Sequence, residues 1–256
     1  MYSMVRFIEP ALVIVALLAL WEGLARGGIL FQPSLPPPTH IAQALKDDVQ
    51  TSYLWLSVWQ TLKAWAVALG IVILIAVPVG VLLGLSRTAT RATILSFEFV
   101  RSIPSIAALP ILILLYGIGF KLTVILAILG ALWPLLIQTM YGVQDVDPVA
   151  RDTARVYGLG RFRRFRLVTI PSAAPYIGTG LRLSGVITMV LVVAATLIVG
   201  GGGLGTAISS AERTGQVPLV FDRIFVTGVL GLAITFVLAA IERRMLRWHP
   251  SVRGNQ

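Results

Sequence analysis

This 256-residue chain contains no cysteine. That excludes a disulfide, a thiolate metal site and a cysteine nucleophile. Histidine is nearly absent as well. His40 and His249 lie far apart and outside the apolar runs, a placement that suits neither a metal cluster nor a catalytic dyad. The 11 acidic residues are scattered and mostly peripheral, so they do not make the clustered acid/base set of a membrane-embedded enzyme. No Gly-rich phosphate loop ending in Lys and Ser/Thr occurs, so the chain has no ATP site of its own. No internal repeat of fixed period is evident, which argues against an inverted-repeat transporter.

Charge is scarce altogether, at 12% of residues. A soluble domain carries roughly 25%. Hydrophobic residues make up 57% and the mean hydropathy is +0.87. So much apolar surface has no place in water, and a bilayer supplies one. The composition predicts an all-α polytopic membrane protein, a single domain over residues 1–256. The net charge of +10 is not a nucleic-acid signature, because the basic residues sit in short loops beside apolar runs.

A membrane span needs about 20 mainly apolar residues. Six stretches qualify: Phe7 to Leu24, Ser57 to Leu85, Leu95 to Tyr116, Leu122 to Tyr141, Pro175 to Val199 and Leu219 to Ile241. The first lacks a small-residue cleavage site and reads as a retained helix, not a removed signal peptide. Pro33, Pro36, Pro37 and Pro38 make the following loop extended, and a short amphipathic helix is predicted from Thr39 through Val49. With the N-terminus inside, 13 Lys and Arg fall on inner segments and 6 on outer ones. That bias places both termini in the cytoplasm.

The segment Asp152 to Pro171, DTARVYGLGRFRRFRLVTIP, is polar and strongly basic and lies between two apolar runs. Gly158 and Gly160 make a turn, a cluster of Arg161, Arg163, Arg164 and Arg166 follows, and Val168-Thr169-Ile170-Pro171 leads back to an apolar span. A short helix, a glycine break and a second helix produce such a pattern.

The segment resembles the cytoplasmic "EAA" loop of permease subunits of binding-protein-dependent ABC importers. The family pattern is Glu-Ala-Ala, three residues, Gly, nine residues, then Ile-x-Leu-Pro. Here Asp152-Thr153-Ala154, Gly158 and Val168-Thr169-Ile170-Pro171 stand at those spacings, with Asp and Thr as departures. The resemblance extends over nearly the whole chain and is strongest to nitrate, sulfonate, taurine, bicarbonate and thiamine-precursor permeases. Leu35-Pro36, Arg101-Ser102-Ile103-Pro104, Tyr116-Gly117-Ile118-Gly119 and Gly203-Leu204-Gly205 carry it. That branch commonly has an Ala-Glu pair late in the fifth helix, where this chain has Ala194-Ala195-Thr196. Its Gly200-Gly201-Gly202-Gly203-Leu204-Gly205 tract also resembles betaine and osmoprotectant permeases.

The resemblance implies a type I ABC importer permease fold in a bacterial plasma (inner) membrane. It implies a dimer of this chain or of this chain with a related permease, two ATP-binding subunits and an extracytoplasmic substrate-binding protein. ATP and Mg would be bound by the ATPase, with no cofactor in this chain. The coupling loop would span 150–171, with Asp152, Thr153, Ala154, Gly158, Ile170 and Pro171 as its contact residues. Intramembrane polar side chains are costly and favour a cavity or a partner helix. Ser102, Ser105, Gln138, Thr139, Thr188 and Thr196 are therefore candidates for the translocation route. Glu98 and Arg101, three apart, suit an intrahelical ion pair. An ATP-independent secondary transporter would want ionisable residues mid-span and leaves the loop unexplained.

Overall fold

The computed structural model describes residues 2–27 and 35–246, with side chains from residue 12 onward, Met245 excepted. Among the described residues there is no strand. The helices are α1 (Tyr2–Arg26), α2 (Pro38–Asp48), α3 (Ser52–Gly84), α4 (Arg87–Ser102), α5 (Leu109–Tyr116) and α6 (Phe120–Gln144). They continue as α7 (Pro148–Val156), α8 (Arg161–Arg164), α9 (Ile170–Val199), α10 (Leu204–Arg213) and α11 (Val217–Met245). Pro33, Arg247, His249 and Arg253 lie outside the described residues.

The core is α6 packed on α9 and α3. Val72 and Ala76 of α3 meet Ala131, Leu135 and Leu136 of α6 in one buried cluster. Lipid tails are as apolar as these side chains, so close packing and interhelical hydrogen bonds must hold the helices together. Glycine permits that approach: a Cβ on Gly80 would come within 2.8 Å of the Leu136 carbonyl. Polar side chains also cross between the core helices. Ser184 Oγ donates to the Ala131 carbonyl at 2.7 Å, and Trp65 Nε1 donates to that of Gly185 at 2.9 Å.

Four helical stretches are long and apolar enough to cross a membrane, or five if one bent pair counts as a single span. Six were expected. The remaining one, Phe7 to Leu24, falls partly on residues whose side chains are not described. The third expected span, Leu95 to Tyr116, is not one helix. It is α4 and a 3₁₀ turn leading into α5, bent by 74°. Pro104 is the cause. A residue before proline is driven out of the helical region, and Ile103 sits at φ −74° and ψ 121°. Glu98 and Arg101 pair at 2.6 Å on the exposed side of α4, as their spacing predicts.

The fifth span also starts earlier than Pro175. Helical backbone runs on from Arg161 through a wide π turn at Phe165–Thr169 into α9. Pro171 explains the widening: its ring clashes with the carbonyl four residues back and it has no N–H to give. The Ile170 N–H reaches instead to the Phe165 carbonyl, five residues back. α2 begins at Pro38, with proline in the first turn as expected. Sequence reasoning missed α10, which follows the glycine tract and buries Leu204, Ala207, Ile208 and Ala211.

A buried charge cluster ties α2, α10 and α11 together. Asp48 accepts from Arg223 Nε at 3.1 Å and Nη2 at 3.4 Å, and Arg223 Nη1 donates to the Ala207 carbonyl at 2.7 Å. The guanidinium also lies 5.2 Å from the centre of the Tyr53 ring. Beside it, Asp222 is fully buried against the Asp48 carboxylate, and no N–H or hydroxyl donates to it among the described residues.

Candidate functional site

The segment between α6 and α9 builds a knob. Asp147 caps α7: its Oδ1 accepts from the Val149 N–H at 2.8 Å, and Pro148 occupies the first turn. The other end closes in a Schellman arrangement. The Leu159 N–H reaches the Ala154 carbonyl at 3.1 Å, and the Gly158 N–H reaches that of Arg155 at 2.9 Å. Gly158 has φ +69°, the left-handed conformation this closure needs. A Cβ there would meet nothing within 4 Å, so backbone conformation alone demands glycine.

Ala154 is the one buried residue of α7. Asp152 and Thr153 are exposed, and Asp152 pairs with Arg155 at 3.2 Å in the open. Ile170 packs with the buried Val81, Val143 and Ala173, and Pro171 sits half-buried in the first turn of α9. The knob is therefore anchored at Ala154 and Ile170. Its outer surface is apolar as well as basic: Val156 is 86% exposed, Tyr157 80% and Phe162 75%. Sequence reasoning stressed the arginines and passed over these three, although apolar residues in a charged loop are a readable signal.

Under the knob is a cavity of about 630 Å³ lined by Arg87, Arg151, Arg155, Arg161 and Arg164, together with the ends of α3 and α6. Of these arginines, only Arg155 makes an ion pair among the described residues. Five of the 13 basic residues assigned to inner segments thus gather at one end of the bundle. Their field suits an acidic protein surface or anionic headgroups.

The six route candidates are not brought together. Ser102 is exposed at the 74° bend, its hydroxyl donating to the Phe99 carbonyl at 2.7 Å. Ser105 is half-buried, with Oγ 2.8 Å from where a Cβ on Gly130 would stand. Gln138 is half-buried beside Gly180. Thr139 and Thr188 are fully buried and donate to the carbonyls of Leu135 and Ser184 in their own helices. Thr196 donates to the Val192 carbonyl at 2.9 Å and borders a cavity of about 230 Å³ at the opposite end of the bundle from α7.

Residues 76–247 match the family described as binding-protein-dependent transport system inner membrane component. The chain belongs to that family. Its fold is that of the type I ABC importer permeases. A membrane subunit from inward-facing structures of the MetNI methionine ABC transporter superposes with a TM-score of 0.65 at 22% identity, over 75% of this chain and 97% of that one. The taurine transport system permease protein TauC of Escherichia coli is 29% identical over 245 residues, covering 94% of this permease and 89% of the relative. Another Escherichia coli relative, named for aliphatic sulfonate transport, is 30% identical over 247 residues, covering 95% and 93%. The nitrate import permease protein NrtB of Synechocystis sp. is 26% identical over 246 residues, covering 93% and 88%. This chain is the permease subunit of an ABC importer and a multi-pass inner-membrane protein. The glycine tract that suggested betaine permeases has a packing reason of its own. A Cβ on Gly202 would stand 2.6 Å from Gln60 Oε1, and one on Gly201 3.0 Å from the Gly119 backbone.

Proposed function

We propose that this permease imports a small solute with an oxoanion head, such as taurine, another sulfonate or nitrate, delivered by a soluble binding protein. One membrane domain spanning residues 1–256 pairs with a second copy, and the route runs between them. Two ATPase subunits sit against the basic end, each receiving one α7, and they bind the ATP and Mg. Both termini face the cytoplasm. The observation that carries this reading is the knob itself: a capped short helix held at Ala154, with Val156, Tyr157 and Phe162 exposed at its tip. A protein does not hold such side chains in water without a use, and a helix seated in a groove is the recurring way to cover them.

The test is co-purification with the ATPase. Val156→Asp with Tyr157→Asp leaves the bundle untouched and puts two charges on the tip. Membrane insertion should be unchanged and ATPase recovery should drop at least tenfold. The parent complex should hold two copies of each chain. ATPase recovery at the parent level from the double variant would remove α7 from the interface.

Orientation has its own check in this cysteine-free chain. Arg163→Cys should react with an impermeant maleimide only after the membrane is opened, and Gln43→Cys should react in intact cells. Labelling of Arg163→Cys in intact cells would invert the topology and place the knob outside, away from any ATPase.

A further inference from the structure

Gln60 and Lys63 stand three residues apart on α3 and so share a face. They interrupt a 33-residue helix whose composition is otherwise strongly apolar. From Lys63 to Gly84 the helix rises about 32 Å. That already covers the roughly 30 Å hydrocarbon core. The ammonium is therefore at the water boundary, hydrated and available.

The Gln60 amide is oriented by the glycine tract. Its Oε1 accepts from the Gly203 N–H at 2.7 Å. A backbone N–H can be satisfied by the amide oxygen and not by the amide nitrogen, which fixes the flip. Nε2 is left with its protons turned elsewhere and no acceptor among the described residues. Lys63 makes no ion pair among the described residues, and its Nζ lies 5.3 Å from the centre of the Phe120 ring. Both side chains border the same cavity of about 230 Å³, with Thr123 and Thr196 on its wall and no carboxylate. Thr61 lines it too, and all three Thr hydroxyls donate to backbone carbonyls four residues back. Among the side chains on the wall, the free protons thus belong to an ammonium and an amide. Its volume is below the roughly 300–1,000 Å³ of pockets for drug-sized ligands and suits a solute of a few heavy atoms.

We propose that Gln60 and Lys63 form an anion subsite of this permease, at the end of the bundle opposite α7, for the oxoanion head of the arriving solute. The ammonium supplies charge, the Gln60 Nε2 supplies a directed donor, and Gly203 holds that donor in place. This rests on the import reading for its biological use, but the binding event stands without it.

Methanesulfonate and nitrate serve as probes, with choline as the cation control. The permease is purified in lipid nanodiscs with its associated ATPase, and saturable probe binding is followed by NMR. The parent should bind both anions and not choline. Lys63→Gln should weaken binding at least tenfold, Gln60→Ala by a smaller factor, and Lys63→Arg should largely retain it. Lys121→Gln removes a cation that lies over Tyr116 and not over Phe120, and should bind as the parent does. Absence of saturable binding in the parent, parent-like binding in Lys63→Gln, or an equal loss in Lys121→Gln would each overturn the subsite. ATP-driven uptake of the same anions, measured with the binding protein, separates the two ideas. Lys63-dependent binding without any uptake leaves the subsite standing and removes the import reading.

Discussion

Replacing Gly158 with valine should uncouple ATP hydrolysis from solute arrival while leaving the membrane bundle assembled. The residue holds φ +69° at the position that closes α7. A β-branched side chain there costs about 1–2 kcal/mol. The strain is relieved most easily by unwinding the last turn, which carries Val156 and Tyr157. Nothing else is disturbed, because an added side chain meets open space. Insertion and thermal stability should match the parent. Binding-protein stimulation of the ATPase in vesicles should fall on the order of tenfold, the equivalent of about 1.4 kcal/mol. Gly158→Asn should be the mildest change at this position, since asparagine visits the left-handed region more readily than other side chains. Equal coupling in the valine, alanine and asparagine variants would show that the turn geometry does not matter.

The largest loss of stability should come from the opposite end. Arg223→Met leaves Asp48 and Asp222 buried without the cation that binds Asp48. Removing one partner of a buried ion pair costs about 3–5 kcal/mol. The variant also frees the Ala207 carbonyl and the Tyr53 ring face, loosening α2 and α10 from α11. Asp222→Asn should act in the other direction and raise the unfolding temperature. It replaces one of two adjacent buried carboxyl groups by a neutral amide whose N–H can donate to Asp48. Thermal unfolding in detergent reads both. If Arg223→Met unfolds at the parent temperature, the pair is not holding these helices together.

The knob was legible in the sequence because its parts are local. A glycine at fixed spacing and a basic run depend on neighbours within a turn or two, and Gly158 and Arg161 are where such rules place them; the Asp147 cap is equally local but was passed over. The bend at Ile103–Pro104 was less so: hydropathy averages over 20 residues and does not notice one proline inside an apolar stretch. The start of α9 was misplaced for a related reason. Pro171 reads as a helix breaker until a π turn is allowed to absorb it. Thr139, Thr188 and Thr196 looked alike as polar residues in apolar spans, and only packing showed that their hydroxyls bond their own helices. The Gln60 subsite was beyond reach, because the group that orients it, Gly203, is 143 residues away.

α3 has a proline at position 78, six residues from its end near the knob. Pro78 has no N–H for the helix ladder, which makes this the natural flexing point of the rod. The arm on the far side, from Pro78 back to Ser52, is about 39 Å long. A change of about 5° at the flexing point swings the Ser52 tip by about 3 Å and Lys63 by about 2 Å. The tip displacement is close to the diameter of a water molecule. α3 is thus a lever, whose short arm ends beside the basic cavity and whose long arm carries the anion-facing pair. An adjustment near Gly84 is therefore magnified along the rod, and its largest effect falls at the Ser52 end.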